Sequence, residues 1–195
     1  RAPGRVGEYL GTTASRMGAG DAIYAGFADT YIPGEAWPNL IAELENSGDV
    51  AAIAKAAQTP PDSPLEAKHA RINAHFGGDS LTDILNSLRT EDSDFADETL
   101  KAMSRNSPLS MACAVEMIHR LRGPAADIRR ALDLEYRFTF RAMEKGDFLE
   151  GIRAAVIDKD RAPQWQHGLD APPSLAATQM LMPLGQDALS FDKEG

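Results

Sequence analysis

The 195-residue chain holds one cysteine, Cys113, so no disulfide can form within it, and a reducing compartment suits it. It lacks any apolar run near the roughly 20 residues that a bilayer-spanning helix requires. It also lacks an excess of basic charge: 29 acidic against 20 basic side chains give a formal net charge of −9. A surface of that sign repels nucleic acid and anionic membranes, so an anionic ligand must be caught by a local cluster of cations. Alternating apolar and polar residues, the mark of a half-buried strand, are nearly missing; only Thr30, Tyr31 and Ile32 before Pro33 read as strand. No leader-like segment opens the chain, and Arg1-Ala2-Pro3 reads as the middle of a longer polypeptide.

What is present is helix signal. Val6, Tyr9 and Leu10 make a short apolar face, Gly18 and Gly20 mark a turn, and Asp21 is expected to cap a helix from Ala22 to Phe27. Helices are predicted over 35–46, 50–58 and, after the rigid "TPPDSP" (59–64), over 65–76. Leu81, Ile84, Leu85 and Leu88 repeat at helical spacing behind Asp79 or Ser80, and Phe95, Leu100 and Met103 belong to the next helix. Ser107 as cap and Pro108 in the first turn start a helix over 108–122, with the stripe Met111, Ala114, Val115, Ile118 and Leu121. A longer helix, 124 to about 145, carries two stripes. One is Ile128, Leu132, Tyr136 and Phe140; the other is Ala131, Leu134, Phe138 and Ala142, and together they are wide enough for two neighbours. Gly146 ends it, and Asp147 with Glu150 has the D-x-x-E pattern of a capping box. Past Pro163 a Pro-, Gly- and Ser-containing tail carries one weakly apolar run, "LAATQMLM". The fold class of this chain is therefore mainly α.

Few residues fall into catalytic sets. Cys113 and His119 lie six apart, about 600° of helical rotation, so their side chains diverge by about 120° and Cys113 reads as core. Asp62, Glu66 and His69 at i, i+4, i+7 offer a carboxylate–imidazole face, but His69 also completes an apolar stripe with Leu65, Ile72 and Phe76, and packing is the stronger expectation. His75 and His167 have no ligand-like spacing, so no metal site is expected. Gly18, Gly20 and Gly26 match neither a dinucleotide fingerprint nor a P-loop and read as turns and close packing. "EDSDFADE" (91–98) reads as a solvated helix start. The stretch "DFLEGIRAAVIDKDRAPQW" (147–165) is the exception. Arg153 and Lys159 suit the negative end of a helix dipole; alternatively Lys159 and Arg161 reach phosphates while Trp165 offers an apolar plane. Spacing alone favours the helix-end role.

That stretch is similar to the C-terminal signature of the crotonase (enoyl-CoA hydratase/isomerase) superfamily, and within it resembles the 3-hydroxyisobutyryl-CoA hydrolase branch. "GEYLGTTASRMGAGDAIYAGFADTYIP", "FADETLKAMSRNSPLSMACAVEMIHRL" and "LEYRFTFRAM" carry the resemblance in order to about Trp165. "EGIRAAVIDKDRAPQW" is its specific part, whereas the first segment is general to the superfamily. The resemblance implies an α/β spiral of ββα units of which this chain is the C-terminal, mostly helical half. Residues 1–33 would end the crotonase-like core, 34–165 form the helical region, and 166–195 the tail. It implies hydrolysis of a 3-hydroxyacyl-CoA thioester to the hydroxy acid and coenzyme A, in valine catabolism, with coenzyme A as part of the substrate and no separate cofactor. The family's catalytic carboxylates and oxyanion-hole amides lie in the N-terminal half, so no catalytic residue is carried onto this chain. Lys159 matches a C-terminal-helix lysine that approaches a coenzyme A phosphate in related hydratases, and is the expected substrate-binding residue.

The partners so implied are an acyl-CoA and the missing N-terminal half, expected to cover Val6, Tyr9, Leu10, Ile23 and Phe27; a homo-oligomer is left open, and neither nucleic acid nor membrane is expected. The location implied is cytoplasmic, or the mitochondrial matrix in a eukaryote. Two other readings stand beside this one: hydration or isomerisation of an enoyl-CoA on the same fold, and a non-catalytic helical module that binds a partner through its apolar stripes.

Overall fold

The computed structural model describes residues 2–123 and 127–191. Among these, the only extended pairing is one antiparallel bridge between Tyr31 and Gln58, and the regular structure is otherwise helical, as the missing alternation implied. The chain divides into two compact units, residues 1–7 with 15–74 and residues 8–14 with 75–195, so that helix α1 (Val6–Thr13) contributes to both.

The first unit holds α2 (Ala19–Tyr24), α3 (Trp37–Ser47) behind a 3-10 turn, α4 (Ala51–Ala56), α5 (Pro64–Ala67) and most of α6 (His69–His75). Asp21 does not cap a helix beginning at Ala22: α2 starts three residues earlier behind Gly18, and Asp21 sits in its first turn. The Asp21 carboxylate accepts from Gly18 N at 3.1 Å, Ser63 Oγ at 2.7 Å and Leu65 N at 2.9 Å, tying α2 to the start of α5. Burial works to raise its pKa, but the donated hydrogen bonds outweigh burial and hold the carboxyl below its usual value. A Cβ at Gly20 would overlap Pro61 O, so only glycine lets α2 lie against the 59–64 connection. The predicted 65–76 helix is broken at Lys68 into α5 and α6, with the Lys68 amide turned back onto the carbonyls of Pro64 and Leu65.

The second unit is built from α7 (Leu81–Arg89), α8 (Asp94–Met103), α9 (Pro108–Arg120), α10 (Ile128–Lys145), α11 (Phe148–Ile152), which runs on as a π-turn (Arg153–Ile157), and α12 (Ser174–Met180). Ser80, Ser93 and Ser107 cap α7, α8 and α9, each hydroxyl accepting from a first-turn amide that has no partner inside the helix. Leu81, Ile84, Leu85 and Leu88 are at most 2% exposed, and burying each such side chain contributes about 1.5–3 kcal/mol. The Tyr9 ring stacks on Phe95 and meets Phe76 edge-on, at 6.2 and 5.4 Å between centroids.

The start expected for α10 at 124–126 lies outside the described residues; Asp127 caps the helix through Arg130 N. Of its two stripes, the one with Leu134 and Ala142 is buried, while Ile128 (70% exposed), Leu132 and Phe140 remain open. The run "LAATQMLM" is more than loose tail. It forms α12, which buries Ala177 and Met180, with Leu181 at its end, and packs on α9 and α10. Its terminal carbonyls are satisfied by guanidinium groups: Arg120 and Arg137 donate to Leu181 O, and Arg141 to Met180 O at 2.9 Å and Met182 O at 2.7 Å. The apolar face expected on the first helices is mostly spent inside the chain. Val6 and Tyr9 are buried, Leu10 and Ile23 half-buried, and Phe27 alone is open at 68% exposed.

Candidate functional site

The structure closes most of the sequence's candidates. Cys113 is fully buried, and burial, with Glu116 acting in the same direction, pushes its thiol up to about 12. The thiol points at Ala177 O, 3.9 Å away, and held protonated in this buried position it is no nucleophile. His119 faces the buried carboxylate of Glu8, which Arg122 also pairs, and does not meet Cys113. His69 is engaged on both ring nitrogens, by Tyr24 OH at 2.5 Å and Asn73 Nδ2 at 2.7 Å, and neither Asp62 nor Glu66 is a partner. His75 is held by Ser87 Oγ and Glu91. Among the described residues no group of three or more His, Cys, Asp and Glu could hold a metal ion.

The 147–165 segment is different, though not as the D-x-x-E pattern suggested. Asp147 occupies the N-cap position of α11 without capping it. Its carboxylate turns inward instead, accepting from Ser107 Oγ at 2.5 Å and Gln166 N at 3.0 Å. Glu150 does not reach back to the cap; it forms a two-point pair with Arg153 at 2.8 and 2.9 Å and accepts from Gln164 N at 2.6 Å. Arg153 also donates to Asp158 Oδ2 at 2.6 Å, Asp160 Oδ2 at 2.7 Å and Ala162 O at 3.3 Å. The hydrogen bonds from Arg153 and then Gln164 N hold the Glu150 carboxyl down at about 2, while Glu150, Asp160 and Asp158 raise the Arg153 pKa further. Asp160 is held below its usual value by Ala162 N and then by Arg153. Arg153 is thus a fastener, with its donors committed to the protein.

The fastened backbone is unusual. A π-turn over Arg153–Ile157 is followed by two non-glycine residues in the left-handed region, Lys159 at φ +57° and Arg161 at φ +54°. Arg161 N donates to Ala154 O at 3.1 Å, which folds the loop back on the π-turn. This course delivers Arg161 and Trp165 to the edge of a cavity of about 560 Å³ inside the second unit. Met111, Phe138, Ala142 and Phe148 make its apolar wall, and Arg105, Asn106, Ser107 and Asp147 its polar part. Lys159 is exposed and does not line it. Of the three residues linked in the sequence, two share the cavity and the third stands outside. Arg105 was missed, because it follows α8 in a turn and belongs to no periodic pattern.

A helical chain whose signature segment is knotted at the edge of an apolar cavity finds its counterpart in one family model, enoyl-CoA hydratase/isomerase, which matches residues 1–174; the chain belongs to that family. It is the mainly helical part of a crotonase-type α/β fold. The mitochondrial 3-hydroxyisobutyryl-CoA hydrolase of Rattus norvegicus is 32% identical over 177 residues, covering 85% of this chain and 46% of the rat protein. The mitochondrial 3-hydroxyisobutyryl-CoA hydrolase-like protein 1 of Arabidopsis thaliana is 31% identical over 188 residues, covering 89% and 45%. Among solved structures, an enoyl-CoA hydratase from Rhodobacter sphaeroides superposes with a TM-score of 0.88 at 48% identity, over 98% of this chain and 55% of that one. A carnitinyl-CoA dehydratase from Mycobacterium thermoresistibile gives the same TM-score at 29% identity, over 100% and 56%. The chain spans about half the length of the curated relatives it matches. No helix of the described residues is long and apolar enough to cross a membrane.

Proposed function

We propose that the protein hydrolyses the thioester of a 3-hydroxyacyl-CoA, 3-hydroxyisobutyryl-CoA first among them, to the free hydroxy acid and coenzyme A. The observation that carries this reading is the apolar cavity with Arg105 and Arg161 in its lining, set within the family match and in a chain whose curated relatives are named for that hydrolysis. An acyl-CoA joins an acyl thioester arm to several phosphates, and a walled cavity of this size with cations at its edge suits such a molecule. In the reaction, water adds its oxygen to the thioester carbonyl carbon, the C–S bond breaks, and coenzyme A leaves as the thiol.

The carboxylate that attacks or activates water, and the two amides that hold the oxyanion, are placed in an N-terminal half outside this chain, either ahead of Arg1 or in a separate polypeptide. The part assigned to these residues is substrate binding, with Lys159 reaching a coenzyme A phosphate from its exposed position. No cofactor is required beyond the coenzyme A carried by the substrate. The setting is valine breakdown, in the cytoplasm of a prokaryote or the mitochondrial matrix of a eukaryote.

Hydration of an enoyl-CoA is the second reading, favoured by the 48% identity to the Rhodobacter sphaeroides hydratase structure. A thiol-trapping assay on the full-length protein separates the two. Hydrolysis releases free thiol from 3-hydroxyisobutyryl-CoA; loss of the enoyl absorbance of crotonyl-CoA with no thiol release would move the protein to the hydratases.

A further inference from the structure

We propose that a cleft of about 720 Å³, lined by α2 and residues 60–67, is a docking groove for an extended segment of a partner protein that carries a lysine or arginine. The cationic head meets Asp62 and Glu66, and a backbone carbonyl of the segment accepts from Tyr24 Oη. All the lining residues belong to the first unit, and nothing in the groove depends on the thioester reading.

The hydrogen bonds behind Tyr24 run in one direction. Arg5 N can only donate, so the Asn73 atom it meets at 2.9 Å is the amide oxygen. That turns Asn73 Nδ2, also only a donor, to His69 Nε2 at 2.7 Å, which must be the ring nitrogen without a hydrogen. His69 Nδ1 therefore carries the hydrogen and donates it to Tyr24 Oη. The phenol proton cannot point back at the imidazole, and no other partner of that hydroxyl stands among the described residues. Burial, and then Glu66, raise the Tyr24 pKa, so the proton stays on the oxygen. Tyr24 lines the cleft, and its hydroxyl is left as a donor to an acceptor that enters there.

No other side chain of the lining has a hydrogen to give. Pro60 and Pro61 lack even the backbone N–H, and the Ser63 hydroxyl donates to Asp21 Oδ1 at 2.7 Å. Asp62 and Glu66 bring two carboxylates, and among the described residues neither is in an ion pair. Lys68, at the end of α5, acts on Asp21 instead. One donor, two unpaired carboxylates and an apolar wall of Ile23 and the two prolines define the complement. The occupant must carry positive charge and several donors, offer one acceptor, and lay an aliphatic stem along the wall. A lysine or arginine within a peptide has all of these. A second copy of this chain, at net charge −9, would bring an acidic surface to an acidic groove, so charge favours a basic segment of another protein.

The test is calorimetric titration of the full-length protein with acetyl-Ala-Ala-Lys-Ala-Ala-amide and with the same peptide carrying arginine, norleucine or glutamate at its centre. The lysine and arginine peptides should bind and the other two should not. D62N and E66Q alter exposed side chains. Each should weaken the lysine peptide about threefold, and both together about tenfold, with the difference shrinking as salt rises. Y24F keeps the ring but loses the proton, and should also cost about threefold while leaving the preference for lysine over norleucine intact. No binding of the lysine peptide would show the groove covered in the whole protein and would overturn the proposal. Equal binding of the norleucine peptide, or undiminished affinity in the double variant, would overturn it as well. Unchanged affinity in Y24F would overturn the part given to the hydroxyl. A dimer in sedimentation that either the lysine peptide or the double variant dissolves would give the groove to a second copy instead.

Discussion

Ser107 Oγ donates to Asp147 Oδ2 at 2.5 Å across 40 positions of sequence, and both residues are buried. The same hydroxyl caps α9 by accepting from Ser110 N, so one serine fixes the start of α9 and the corner between α10 and α11, beside the cavity. Ser107→Ala removes the cap and leaves a buried carboxylate short of a donor, and should cost about 1–3 kcal/mol in urea-induced unfolding. Ser80→Ala, which removes an exposed cap, should cost about 1 kcal/mol. A Ser107→Ala cost below about 0.5 kcal/mol would mean that the Asp147 contact holds nothing together.

Cys113 gives a local probe of α12. With its thiol held up at about 12 by burial, the native protein at pH 8 should not react with a disulfide reagent until it unfolds. Deleting residues 174–195 removes Ala177, which lies against the thiol, and should make Cys113 reactive in the folded state. Rapid reaction in the intact protein would contradict the packing of α12 on α9.

The Arg153 knot should loosen in acid. The folded-state pKa of Glu150 is about 2, depressed from the ordinary 4.5, so the carboxyl binds a proton more readily once released. Its stabilisation is therefore whole above about pH 4.5 and declines as pH falls towards 2, and Asp160 shifts in the same direction. Trp165 fluorescence, read in a Trp37→Phe background, should change across that window, and Glu150→Gln should remove the transition. A flat signal over that range would show that the knot does not govern the position of Trp165.

What the sequence made legible was local. The cap at Ser107, the start of α7 behind Ser80 and the Leu81–Leu88 stripe depend on neighbours three or four residues away, and all stand where spacing put them. What it hid was decided across the chain. Asp147 and Glu150 carry the pattern of a capping box, but Ser107 and Arg153 capture them first. α12 is too weakly periodic to announce itself, and its end is completed by Arg120, Arg137 and Arg141, about 40 to 60 positions away. The cavity follows the same logic, since Arg105, Phe138 and Trp165 meet only once α9, α10 and the knot are in place.

Lys159 separates two roles for the exposed end of the loop. If its ammonium meets a coenzyme A phosphate, Lys159→Ala should raise KM for an acyl-CoA about tenfold and leave kcat nearly unchanged, because the phosphates lie far from the scissile bond. The effect should shrink as salt screens the contact. An unchanged KM at low ionic strength would return Lys159 to the role of a solvated helix-end cation.

The most direct measurement follows oxygen from solvent into product. The full-length protein would be given 3-hydroxyisobutyryl-CoA and, separately, crotonyl-CoA in water labelled with heavy oxygen, and the products weighed by mass spectrometry. Hydrolysis predicts one heavy oxygen in the carboxylate of 3-hydroxyisobutyrate, with coenzyme A released as free thiol. A label found only in the 3-hydroxyl of an intact thioester formed from crotonyl-CoA, with 3-hydroxyisobutyryl-CoA left whole, would contradict the hydrolase reading.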